Sequence, residues 1–181
     1  MKKCPICNFD IDENLTQYKL KKEDKTVYFC GPKCMEEYQE IKEEKKDFTK
    51  IFKNAKTLAI IGLSPNEART SYQVAAKLKG FGYEIIPIYP KAERILDEKV
   101  YKSILDVEKD IDVAIFFINS KMVYPLVKEA VEKNVKTIWL QEGVISEEAK
   151  KLALHNNINF VMDRCFYKEH INYKSMKFNN K

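Results

Sequence analysis

The chain has 181 residues, 45% hydrophobic and 33% charged, with a formal charge of +5 at neutral pH, which fits one globular domain with a small appendage. No apolar run approaches the roughly 20 residues that span a bilayer, so no membrane partner is expected. Lysines are interleaved with acidic residues over residues 36–50, and this modest, mixed charge gives nucleic acid no basic block to bind.

The chain begins Met1-Lys2-Lys3-Cys4-Pro5 with no apolar segment of the kind a secretory signal needs, and a cytoplasmic location is expected. Four of the five cysteines lie in the first 34 residues, and in a reducing compartment such clustering favours a metal over disulfides. Residues 1–35 contain one short strand candidate, Thr26-Val27-Tyr28-Phe29, and are too few to build a core unaided. Cys4-Pro5-Ile6-Cys7 and Cys30-Gly31-Pro32-Lys33-Cys34 supply two close pairs of thiolates, each able to wrap one edge of a zinc tetrahedron. Cys4, Cys7, Cys30 and Cys34 are therefore the candidate ligands of one Zn2+. A filled four-cysteine site leaves no position for water, which points to a structural ion; thiolates also accept copper or another soft metal. From Pro32 to about residue 46 the pattern turns helical, with Met35, Tyr38 and Ile41 at three-residue spacing. This helix is expected to link residues 1–46 to the rest.

The run Lys56-Thr57-Leu58-Ala59-Ile60-Ile61-Gly62 reads as a strand buried on both faces of a parallel sheet. Further strands are expected at 83–89, 112–118, 136–140 and 159–162, and helices at 71–79, 121–133 and 146–155. Strand and helix alternate throughout residues 47–173. That alternation predicts an α/β fold with right-handed crossovers, a doubly wound and mainly parallel sheet of Rossmann type, and a ligand at the carboxyl ends of the strands. Residues 174–181, rich in Lys and Asn, are expected to fray.

After the first of these strands comes Gly62-Leu63-Ser64-Pro65-Asn66-Glu67-Ala68-Arg69-Thr70-Ser71-Tyr72. A glycine at a strand's end lets backbone approach a phosphate, and hydroxyls with helix N-terminal amides then hold it. A side chain at position 62 is expected to push the backbone off the phosphate without disturbing the sheet. The loop has neither the three glycines of the dinucleotide fingerprint nor the Gly-Lys-Ser/Thr of a P-loop. The next strand ends Tyr89-Pro90-Lys91, where an NAD-binding domain offers an acid to the ribose. Lys91 suits a phosphorylated ribose instead, the 3′-phosphate of coenzyme A or the 2′-phosphate of NADP.

Taken together, residues 48–170 resemble the small CoA-binding proteins of the CoA-binding domain family, relatives of the nucleotide-binding part of succinyl-CoA synthetase. The landmarks are Ile60-Ile61-Gly62-Leu63-Ser64-Pro65, Arg69-Thr70-Ser71-Tyr72, Gly82-Tyr83 through Pro87, Trp139-Leu140-Gln141-Glu142-Gly143, and Val161-Met162-Asp163-Arg164-Cys165 with His170. The resemblance implies that Gly62, Leu63, Ser64, Arg69, Ser71 and Tyr72 hold the diphosphate and the start of the pantetheine. It implies that Tyr89, Pro90 and Lys91, with Ile118, Asn119 and Ser120, flank the adenosine, and that Gln141, Glu142 and Gly143 line the far side. Relatives of this kind often carry Asn where this chain has Tyr89, and arginines where it has Ile118-Asn119, so fewer cationic contacts are available here. Residues 1–40, through Tyr28-Phe29-Cys30-Gly31-Pro32-Lys33-Cys34, resemble the treble-clef zinc modules of the TRASH and YHS type, found in proteins of metal handling and sensing.

The synthetase relatives phosphorylate a histidine held in a separate domain, and no such domain is expected in this chain. Cys165 and His170 are read as a structural hydrogen-bonded cluster at the end of the last strand, so no catalytic residue is assigned. The sequence thus predicts a non-catalytic CoA or acyl-CoA binding protein whose zinc module serves a protein partner or metal-linked regulation. Two alternatives stay open: an NADP- or nucleotide-dependent enzyme using the same cleft, and a metal-responsive regulator with the α/β domain as scaffold.

Overall fold

The computed structural model describes residues 2–22, 25–44 and 48–179. Contacts divide the chain into two units, Met1–Asp47 and Phe48–Lys181.

In the first unit, β1 (Lys2–Lys3) pairs antiparallel with β2 (Asp10–Ile11), and β3 (Lys19–Lys22) pairs antiparallel with β4 (Lys25–Tyr28). The β1–β2 connection folds back tightly, the Asn8 N–H donating to Cys4 O and the Cys4 N–H to Phe9 O, both at 2.9 Å. Helix α1 (Pro32–Glu44) follows Cys30 after one residue, Gly31, with Pro32 in its first turn. The core is small: Cys4, Ile11 and Phe29 are buried, with Met35 and Tyr38 among the side chains packed on them. Ile41, expected on the same helical face, has a side chain outside those described, and the expected link at residues 45–47 lies outside the described residues.

The second unit opens with a short helix, α2 (Thr49–Asn54), and then alternates. In order come β5 (Thr57–Ile61), α3 (Thr70–Gly80), β6 (Glu84–Ile88), a small hairpin of β7 (Arg94–Ile95) and β8 (Glu98–Lys99), and a 3-10 turn at Ile104–Asp106. There follow β9 (Val113–Phe116), α4 (Ser120–Glu132), β10 (Thr137–Leu140), α5 (Glu147–His155), β11 (Asn159–Val161) and α6 (Phe166–Asn179). Five strands form one parallel sheet in the order β11-β10-β9-β5-β6. The doubly wound α/β fold is thus present.

Strands apolar on every residue after the first explain why both faces are covered. Leu58 and Ile60 of β5 and Val113 and Ile115 of β9 enter one core, with Phe52 of α2, Leu78 of α3 and Phe166 of α6. Their neighbours Ala59, Ile61, Ala114 and Phe116 enter the other, with Val127 of α4 and Ala153 of α5. Trp139 of β10 is fully buried on the first face among the rings of Phe48, Phe52 and Phe166. Its Nε1–H donates to Arg164 O at 2.7 Å, so burial of the indole leaves no orphan donor.

The segment expected to fray, residues 174–181, begins within a helix. Helix α6 runs on to Asn179, anchored by Tyr173 stacked on Phe52 and by the Lys174 ammonium 4.1 Å from the Phe81 ring centre. Asn180 and Lys181 lie outside the described residues.

Candidate functional site

The four N-terminal cysteines converge because the β1–β2 turn carries Cys4 and Cys7, while the end of β4 and the first turn of α1 carry Cys30 and Cys34. Their sulfurs all lie within 4.8 Å of one another, with Cys7–Cys30 at 3.4 Å and Cys30–Cys34 at 3.6 Å. Tetrahedral zinc with Zn–S bonds of about 2.3 Å sets its sulfurs roughly 3.8 Å apart, so the cluster fits one such ion. Burial opposes ionisation of Cys4, but backbone N–H groups of Cys7, Cys30 and Ile6 aim at its sulfur and bring the thiol down to about 6. Cys34 is pushed up to about 12 by the hydrogen bond it shares with Cys30 and by burial. Four thiolates cannot share this space without a cation, and the donor set is one that a soft divalent ion satisfies.

In the second unit, β5 and β9 are neighbours whose chains leave in opposite directions, β5 towards α3 on one face and β9 towards α4 on the other. Such a switch point opens a crevice at the carboxyl ends of the strands. A cleft of about 590 Å³ lies there, well within the size of small-molecule sites.

Gly62 sits at the tip of β5 with φ +80°, and a Cβ there would lie 2.5 Å from Phe117 O and 2.8 Å from Ile118 Cγ2. The glycine is therefore required by the close approach of the β9 loop. This corrects the expectation that a side chain at 62 would spare the sheet: it would push apart the two strands that form the cleft.

The loop after Gly62 is held by its own hydroxyls and amides. The Ser64 N–H donates to Ser71 Oγ and the Asn66 N–H to Ser64 Oγ, both at 3.1 Å, and the Ala68 N–H donates to Asn66 Oδ1 at 2.9 Å. Each serine accepts a hydrogen bond from a backbone N–H and keeps its own O–H to donate. Arg69 occupies the N-cap position of α3 without a side-chain capping bond, whereas Asn119 caps α4 and Ser146 caps α5. The first-turn N–H groups of α3 thus lack the partner that the other two helices possess, and they carry the positive end of the helix dipole.

Of the residues expected here, Gly62, Ser64, Arg69, Ser71, Tyr89, Ile118, Asn119, Gln141 and Glu142 line the cleft. Leu63 points into the core and is fully buried. Tyr72 packs on the same core and donates its hydroxyl to Glu67 Oε1 at 3.4 Å. Pro90 and Lys91 are exposed beyond Tyr89 and are not part of the wall. Ser120 and Gly143 stand behind it. The Ser120 hydroxyl donates to Gly143 O at 3.3 Å, and the Gly143 N–H donates to Asp163 Oδ1 at 2.7 Å, tying the loops after β9, β10 and β11 together.

Four further residues line the cleft: Thr70, Phe117, Val144 and Cys165. Cys165 was expected in a structural cluster with His170, but the two have different settings. His170 is buried among Phe52, Phe81 and Tyr83, with Nδ1 2.7 Å from the Tyr83 hydroxyl, and burial together with nearby Lys174 lowers its pKa. It does not line the cleft. Asp163 and Arg164 act elsewhere again, Arg164 in an ion pair with Glu169 at 3.1 Å. At the cleft's edge Glu142 pairs with Lys168 of α6 at 2.8 Å.

Comparison with known proteins agrees with this architecture. The Bacillus subtilis (strain 168) protein YneT is 29% identical over 126 residues, covering 70% of this chain and 93% of YneT. An ADP-forming acetate–CoA ligase of Methanocaldococcus jannaschii is 35% identical over 118 residues, which are 61% of this chain and 17% of the ligase. The chain thus spans under a fifth of that enzyme. A solved structure of a hypothetical protein from Pyrococcus horikoshii OT3 superimposes with a TM-score of 0.68 at 31% identity, covering 72% of this chain and 91% of that one. Residues 56–171 match the family described as the CoA binding domain, and the chain belongs to that family.

Proposed function

We propose that the protein binds coenzyme A or an acyl-CoA in the switch-point cleft and does so without catalysing a reaction. The observation that carries this reading is the pairing, in one cleft, of an uncapped helix N-terminus with Arg69, Ser64 and Ser71. A diphosphate supplies the acceptors these donors lack. The nucleotide then lies towards Tyr89 and Asn119, and Lys91 reaches a 3′-phosphate from outside the wall. Membership of a CoA-binding family supports the choice of ligand, and the setting of His170 away from the cleft supports the absence of a Cys–His nucleophile pair.

In the first unit, Cys4, Cys7, Cys30 and Cys34 hold one zinc ion as a structural cross-link. Zinc supplies there the folding energy that so small an apolar core lacks. The module so formed serves a protein partner or metal-linked regulation.

Calorimetry with CoA, 3′-dephospho-CoA, NADP and ATP tests the cleft. Arg69→Ala is expected to weaken CoA by about 1.5–3 kcal/mol, the worth of a charge-assisted contact. Lys91→Ala is expected to affect CoA more than 3′-dephospho-CoA. A preference for NADP over CoA would transfer the cleft to a nicotinamide enzyme.

A further inference from the structure

One cleft residue carries a feature that neither the phosphate loop nor the family match explains. Gln141 follows β10 at the carboxyl edge of the sheet and forms part of the cleft wall, yet it is only 5% exposed. Its backbone is satisfied: the N–H donates to Phe116 O at 3.3 Å and the carbonyl accepts from the Val144 N–H at 2.9 Å. Its side-chain Nε2 is buried with no hydrogen-bond partner among the described residues. An unpaired buried amide donor is costly, and a leucine or methionine of similar size would fill the space without that cost.

The cleft is also chemically divided. One side carries the hydroxyls, the cation and the helix N-terminus that suit phosphate. Near Gln141, whose backbone bonds to Phe116 and Val144, the wall carries Phe117, Val144 and Cys165, and the one charged group beside it, Glu142, is held in its ion pair with Lys168. Among the described residues lining that second side there is no cation and the Glu142 carboxylate repels phosphate, while a neutral carbonyl oxygen in an otherwise apolar arm matches an unpaired amide donor.

We infer that the Gln141 carboxamide is the specificity donor for the pantetheine arm, giving its N–H to a neutral carbonyl oxygen of the bound thiol or thioester. This rests on the CoA reading of the cleft and says which part of the ligand the β10 end recognises. The last torsion of a glutamine is broad and soft, so the carboxamide reaches the cleft by turning about that bond while its stem stays packed. The acceptor is either an amide carbonyl within pantetheine or the thioester carbonyl of an acyl group.

The test uses the full chain and three ligands: adenosine 3′,5′-bisphosphate, which lacks the arm, CoA and acetyl-CoA. Gln141→Leu is expected to leave the bisphosphate's affinity unchanged and to weaken acetyl-CoA about tenfold, the loss of one well-formed hydrogen bond. Equal losses for CoA and acetyl-CoA identify an amide carbonyl as the acceptor, and a larger loss for acetyl-CoA identifies the thioester. The same variant, measured without ligand, is expected to melt no lower than wild type, because an unpaired donor has been removed. Unchanged acetyl-CoA affinity in Gln141→Leu, or equal weakening of acetyl-CoA and the bisphosphate, overturns the inference while leaving the CoA reading in place. Failure of CoA to bind the wild type overturns the reading on which it rests. Gln141→Met guards against a packing artefact: the same selective loss is expected, and a return to wild-type affinity would contradict the donor's role.

Discussion

The two units reach stability by different routes. The second encloses a sheet between two apolar layers, with side chains such as Trp139, Phe116 and Ile60 fully removed from water. Among the described residues of the first, three hydrophobic ones are buried, and one of these, Cys4, is itself a proposed ligand. Burial is worth about 25 cal/mol per Å², so the first core contributes too little to order a chain of this length. The difference teaches where a metal cross-link would matter: the proposed ligands stand in the unit with the smaller described core, whereas the second unit has two extensive apolar cores of its own.

The largest expected effect breaks that contrast at its weaker side. Strong chelation, or Cys4→Ser, is expected to abolish the fold of the first unit, seen as loss of amide-exchange protection in α1, while β5 and β9 stay protected. Elemental analysis is expected to find one zinc per chain. Retention of α1 protection in metal-free, reduced protein would show that the small core suffices.

Next in size, Trp139→Ala removes the indole that holds α2 and α6 on the sheet, and about 3–5 kcal/mol of stability should go with it in chemical denaturation. The first unit's chelator sensitivity should be unaffected. A loss below about 1 kcal/mol would mean that the aromatic cluster around Phe48, Phe52 and Phe166 is not the anchor its geometry suggests.

A smaller effect probes charge within the second unit. Burial opposes ionisation of Asp112, but a bond from Lys136 and the backbone N–H groups of Thr57 and Lys56 hold its carboxyl at about 2. A folded carboxyl below the ordinary range stabilises the protein above that range and ceases to do so as pH falls towards 2. Asp112→Asn should therefore cost about 2 kcal/mol at neutral pH, with the difference from wild type vanishing on acidification through the carboxylate range. A pH-independent difference would assign the effect to the hydrogen bonds alone. Smallest of all, incubation with acetyl-CoA should add no acyl mass to Cys165, although it lines the cleft.

Much of this was legible in the residues. Strands β5, β9 and β10 announce themselves as unbroken apolar runs, and such runs mean burial on both faces. The same continuity hides which residue faces which core, because a period of two vanishes when every position is apolar. Helix α2 was not foreseen, since six residues are too few to show a helical period; its reason for forming is the pair Phe48 and Phe52 packed under Trp139. Helix α6 was missed because its sequence is polar on most positions, and ring stacking by Tyr167, His170 and Tyr173 does the anchoring instead.

The site shows the same division. Gly62, Ser64, Arg69 and Ser71 follow from a strand, a glycine and a helix start. The difference between Ser64, which lines the cleft, and Leu63, which does not, is set by the turn of the loop after Gly62. Phe117 and Cys165 could have been found by one rule, that residues just past the carboxyl ends of β9 and β11 face a switch-point cleft. Gln141 could be named from its motif, but its unpaired nitrogen is visible only once the neighbours are in place.

The most direct test of the account is amide hydrogen exchange on the intact protein with and without saturating CoA. Slowed exchange is predicted at residues 62–72, through the first turn of α3, and at 117–119 and 141–144, with α1 and the β3–β4 hairpin unchanged. Protection confined to the first unit, or no protection at the N-terminus of α3, would contradict the placement of coenzyme A at the switch point.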